Sequence, residues 1–162
     1  MNDKLDKFLR EREEDTNEKE QGVEIRKEKW LEQIERILAQ IEGWFNHDKI
    51  HQERVPIVLS EELIGDYSTQ KLVIEMPNCR TVTIEPEGCC FIGVNGAFKV
   101  KAGSKEVAQI QLTSFGNEDD GVYKRGTQTP QTWKICLGVP GAPNNYQEFD
   151  KDNLTEIVMR SA

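Results

Sequence analysis

Large apolar residues recur with two different periods along this chain. From Trp30 the series Trp30, Ile34, Ile37, Ile41 and Trp44 advances by steps of four and three, and Leu31, Leu38 and Phe45 flank it. That spacing lays one broad apolar stripe along a helix. The stripe is wider than a coiled-coil seam and lasts only about two heptads. It therefore predicts a helix packed on the protein's own sheet in a monomer, with a homodimer seam through the same helix as the alternative. Beyond residue 55 the period becomes two. Leu72, Ile74 and Met76, then Val82 and Ile84, then Cys90 and Ile92, then Phe98 and Val100, then Ala108, Ile110 and Leu112 each fall on one side of a short strand. Turn residues separate them at Pro77-Asn78, Pro86-Glu87-Gly88, Asn95-Gly96 and Gly103-Ser104.

These runs predict an antiparallel meander. A three-residue loop ending in a left-handed Gly96 would set Ile92 opposite Phe98 and Cys90 opposite Val100. Trp133, Ile135 and Leu137 predict a further strand, Val122 and Tyr123 a short one, and Val55 to Leu59 an edge segment, because Pro56 cannot donate to a ladder. Asp150 has the character of an N-cap, with Phe149 before it and Leu154, Ile157 and Val158 supplying an inward face. The expected fold class is α+β: a long N-terminal helical region, an antiparallel β-meander domain and a short C-terminal helix. The expected division is a charged helical arm over 1–22 and a single domain over 23–162. Within that domain a helix spans 23–50, the sheet 55–137 and the last helix 150–161.

The arm changes the picture, because its residues are charged with both signs and only Leu5, Phe8 and Leu9 are large and apolar before Val23. Acid-to-base pairs such as Asp3 with Lys7 and Asp6 with Arg10 support a helix by about 0.2–0.5 kcal/mol each. Gly22 costs about 1 kcal/mol relative to Ala inside a helix and marks the expected break. Leu5, Phe8 and Leu9 lie at i, i+3 and i+4, so they form a compact patch suited to a groove on a protein partner.

The whole sequence of 162 residues carries 21 Lys and Arg against 29 Asp and Glu, a formal charge of −8. That balance opposes the phosphate attraction on which nucleic-acid binding rests. No run approaches the roughly 20 apolar residues of a membrane span, and residues 1–21 lack the apolar core of a secretory signal, so a cytoplasmic protein is expected. Cys79, Cys89, Cys90 and Cys136 include no C-x-x-C pair and read as reduced packing residues.

Candidate chemistry is sparse. His47 and His51 would share a helix face if the first helix ran past Phe45, but no third ligand accompanies them, and a solvated helix end is the simpler reading. The acidic run Glu118-Asp119-Asp120 lacks the spacing of a calcium loop, and no glycine motif cradles a phosphate. No metal, cofactor or catalytic centre is expected. Two polar stretches, 116–131 and 138–148, exceed typical loop lengths, and in them Tyr123, Lys124, Arg125 and Tyr146 are the candidate binding residues. The expected function is that of a non-enzymatic accessory, regulatory or inhibitory protein acting through protein contacts. The alternative is a small-ligand binding module with its pocket under one of these loops.

Overall fold

The computed structural model describes residues 3–89, 94–113, 131–138 and 145–162. The first element, α1, is one α-helix of 42 residues, Asp3–Trp44. It runs through Gly22 without the expected break. A Cβ at Gly22 would meet nothing within 4 Å, so no close contact requires glycine there. The helix stops at Trp44 instead of reaching residue 50, with Phe45 N–H donating to Ile41 O at 3.1 Å and Ile50 N–H to His47 O at 3.0 Å. This tight reversal brings the next strand back along the helix.

Among the described residues seven strands follow, all antiparallel and arranged in the order in which they occur in the chain. They are β1 His51–Glu61, β2 Gly65–Glu75, β3 Val82–Gly88, β4 Val94–Ala102, β5 Lys105–Thr113, β6 Thr132–Cys136 and β7 Tyr146–Glu148. The last helix, α2, spans Lys151–Ser161. The fold class is thus α+β, as the change of period implies. β1 is an edge strand containing Pro56, longer than expected, and β7 lies within a stretch expected to be a loop. The Gly103-Ser104 turn has the expected two-residue form, with Ala102 opposite Lys105 and Gly103 at φ +63°.

The β3 to β4 connection differs from expectation. Pro86, Glu87 and Gly88 lie inside β3, and Phe98 stands opposite Pro86 while Val100 stands opposite Ile84. Gly96 is a strand residue opposite Leu112, not the left-handed end of a turn. Its reason for being glycine is the indole of Trp30, which lies against it. The expected strand over Cys90 and Ile92 falls on 90–93, and the Val122 and Tyr123 strand on 114–130, both outside the described residues.

The core lies between the sheet and the helices. Trp30, Ile34, Ile37, Leu38 and Ile41 of α1 are buried with Leu72, Ile74, Val82, Ile84, Phe98, Val100 and Ile110 from the sheet. Leu154, Ile157 and Val158 of α2 join them. Asp150 caps α2 by accepting from Asn153 N–H at 2.8 Å. The Phe149 ring lies 4.9 Å from that of Trp44, joining the beginning of α2 to the end of α1.

Polar contacts fix where α1 meets the sheet. Arg54 of β1 bonds Glu35 at 2.5 Å and Glu42 at 2.6 Å, residues two turns apart on α1. Gln52 donates to the Glu42 carbonyl at 3.1 Å, satisfying an acceptor in the last turn. Nearer the arm, Trp30 Nε1–H donates to Tyr67 Oη at 2.8 Å, and Tyr67 O–H donates to Glu61 at 2.5 Å. The other Glu61 oxygen accepts from Cys89 N–H at 2.9 Å. Burial drives the Tyr67 phenol well above its ordinary range, and its hydrogen bond to Glu61 adds to the effect.

Candidate functional site

Only the second half of α1 is held by the sheet. Among the described side chains Trp30 is the first along the helix to be fully buried, and those before it are exposed, except half-buried Val23 and Lys27. At 1.5 Å per residue, the stretch from Asp3 to Lys29 extends about 40 Å. The expected patch falls near its far end, where Leu5, Phe8 and Leu9 are each about half exposed, at 49%, 49% and 50%. The guanidinium of Arg12, one turn on, lies over the Phe8 ring at 5.1 Å, so the patch ends in a cation stacked on an aromatic face. The chain therefore presents three large apolar groups on a regular helical surface.

The structure also assembles a second polar region, on the side of the sheet facing away from the helices. Tyr146 O–H donates to Gln111 at 3.1 Å, Gln111 to Gln109 at 2.6 Å and Gln109 to Glu106 at 2.9 Å. Lys134, on β6, pairs with Glu148 of β7 and is almost fully buried. A cavity of about 180 Å³ lies beside this chain, lined by Glu106, Val107, Ala108, Gln109, Cys136 and Gly138. Burial pushes the Cys136 thiol up, while its hydrogen bond with Tyr146 works in the other direction. The cavity is smaller than the roughly 300–1,000 Å³ of typical small-molecule sites. Of the four loop candidates, Tyr146 belongs to this region, whereas Tyr123, Lys124 and Arg125 lie outside the described residues.

No known family, characterised protein or solved structure matches the chain.

Its chemistry must therefore be read from these residues alone. The two histidines do not share a helix face: His47 lies in the reversal after α1, its Nδ1 accepting from Lys49 N–H at 3.0 Å, and His51 opens β1. The cause is the early end of α1 at Trp44. Among the described residues no group of three or more His, Cys, Asp or Glu side chains could hold a metal ion. Cys79 is an exposed free thiol and Cys136 a buried one, Cys89 is buried, and Cys90 lies outside the described residues. No helix among the described residues is long and apolar enough to cross a membrane.

The amide chain and the Trp30–Tyr67–Glu61 cluster were not anticipated. Alternation marks Gln109 and Gln111 as outward positions of β5, but only strand register reveals that Lys134 stands opposite Gln111 and Tyr146 opposite Cys136. Strict alternation from Leu72 and Ile74 along β2 assigns Tyr67 to the opposite face and to solvent, yet it is buried and joins the core beside Trp30.

Proposed function

We propose that the protein is a non-enzymatic accessory protein, regulatory or inhibitory, that acts by presenting its N-terminal helix to a protein partner. The observation that carries this reading is the half-exposed patch Leu5, Phe8 and Leu9 on a helix that outruns its own sheet. Ordering a long, mostly polar helix without burying it brings little stability to the fold. Its apolar residues at i, i+3 and i+4 instead match helix-in-groove recognition. The decisive test removes residues 1–21 and separately makes the Phe8→Ala, Leu9→Ala double variant. Both should keep the melting temperature of the full chain and lose a partner captured by it. A captured partner that survives both changes would rule the arm out.

The second reading, a small-ligand module, is supported by the cavity beside Gly138 and the amide chain next to it. Its size and polar lining suit a small hydrogen-bonding molecule. A ligand that raises the melting temperature of the full chain but not of Gln109→Ala would favour this reading over the first.

A further inference from the structure

The β1–β2 hairpin leaves the rest of the sheet part-way along its length. Its two strands face each other from His51 opposite Glu75 to Glu61 opposite Gly65, but β2 meets β3 only across Leu72 with Ile84, Val73 with Thr83 and Ile74 with Val82. Beyond Ile84 the paired residues of β3 turn to β4 alone, Glu85 opposite Lys99 and Pro86 opposite Phe98. Pro86 has no N–H to give a second neighbour, and the register shift between Pro86 and Gly88 adds the bend and twist of a bulge. The sheet therefore forks. Among the described residues, the strands of the outer hairpin, within 55–71, pair only with each other. Little apolar surface holds this outer half down: only Tyr67 is buried in it, Leu59 and Ile64 are partly buried against the core, and Val58 and Leu63 are 68% and 61% exposed. Its polar attachments converge on one point. Trp30 Nε1–H donates to Tyr67, Tyr67 O–H to Glu61, and Glu61 also accepts the N–H of Cys89, just beyond β3.

We infer that the outer half of the hairpin is a latch: residues 55–71 open as one cooperative unit while β3 to β6 and the packed part of α1 stay folded, and each opening frees the indole N–H of Trp30. A two-stranded hairpin standing away from a sheet is marginal in water, so once its attachments to Trp30 and Cys89 are lost it melts. Segments with few buried apolar contacts are those that open below the free energy of global unfolding. The inner half of the hairpin stays closed, because Gln52 and Arg54 are bonded to Glu42 and Glu35 of α1 and stand opposite the core residues Ile74 and Leu72. Trp30 is where α1 passes from its packed to its projecting part, so the latch couples the hairpin tip to the root of the arm. By reciprocity, whatever holds the tip shut also orders that root.

Amide hydrogen exchange of the full chain under native conditions, repeated at increasing urea below the unfolding transition, tests this. The amides of 57–61 and 65–69 that bond across the hairpin should be protected at least about tenfold less than those of Phe98, Val100 and Ile110, and their exchange should be nearly independent of urea, as for a local opening. The amides of Phe98, Val100 and Ile110 should instead follow the steep urea dependence of global unfolding, and those of Leu72 to Ile74 should behave like them. Tyr67→Phe, and separately Glu61→Ala, should lower the protection of all the hairpin amides by one common factor of about tenfold, the worth of a buried hydrogen bond. Hairpin amides as well protected as those of β4 and β5, with the same urea dependence, would overturn the inference, and this comparison needs neither variant to fold. A loss of protection confined to the neighbours of position 67 or 61 would overturn it equally, since the hairpin would then fray residue by residue and not open as a unit.

Discussion

A methyl group added at position 96 would stand 2.8 Å from Cζ3 of Trp30 and 3.2 Å from Cη2 of Trp133. The first separation is shorter than a real Cβ contact, and Trp30 cannot easily yield, since Phe98 lies 5.4 Å from it centroid to centroid and Tyr67 holds its indole N–H. Gly96→Ala should therefore destabilise the fold by about 1–3 kcal/mol, the usual cost of overpacking, as measured by urea unfolding. Tyr67 provides a second test at this scale. Its phenol is more strongly protonated in the folded state than its ordinary pKa of 10.0 implies, chiefly through burial. A raised folded pKa contributes stability that is fully present below the unfolded value and is lost as pH rises above it. Stability should consequently fall above about pH 10, and Tyr67→Phe should flatten that alkaline limb. At neutral pH the same variant should cost about 1–3 kcal/mol, because the Trp30 N–H loses its buried acceptor and Glu61 a donor.

At the scale of elements, α1 combines two regimes in one helix. Around Ile37 the helix is held by packing: Ile37→Asp would bury an uncompensated carboxylate at a site 1% exposed, and the protein should lose its cooperative unfolding transition. Around Gly22 the described side chains are mostly exposed, and packing contributes little. Gly22→Ala should increase helicity in circular dichroism, with a local gain of up to about 1 kcal/mol and little change in the melting temperature of the domain. The elements were largely legible in the sequence. Steps of three and four picked out Trp30, Ile34, Ile37 and Ile41, and alternation picked out Leu72, Ile74, Val82, Ile84, Phe98, Val100, Ala108 and Ile110, all of them buried. What was not legible was register. Pro86 and Gly88 read as a turn because both residue types punctuate chains, yet they continue β3, with a register irregularity between them that absorbs the disturbance. Position 96 was misassigned for the same reason. A glycine required by a distant indole is indistinguishable, in one sequence, from a glycine required by a turn.

For the whole molecule, the division between arm and domain leads to an expectation about stability. Since the described side chains of α1 before Trp30 are mostly exposed, removal of residues 1–21 should leave the urea midpoint of the domain within error of the full chain's. A substantial fall would place the arm in the core. Of the candidate site, the placing of Leu5, Phe8 and Leu9 on one exposed helix face was legible, since three residues at i, i+3 and i+4 need only local geometry. The polar chain from Tyr146 to Glu106 needed four residues from two strands, and nothing local announces which strands will be neighbours.

The strictly sequential order of the strands also constrains how the protein can form. Each described strand pairs with those next to it in the described order, so among them no pairing must wait for a later strand to be inserted between earlier ones. Loop-closure costs are then paid in small instalments, which favours rapid formation of the sheet. The helix stripe has the opposite history. Trp30, Ile34, Ile37 and Ile41 precede every strand they pack on, so during synthesis they must remain uncovered until Phe98, Ile110 and Ile135 have emerged and paired. A nascent chain halted before β5 should accordingly expose a sticky helix over a partial sheet, and holdase chaperones should bind there in preference to any later stage.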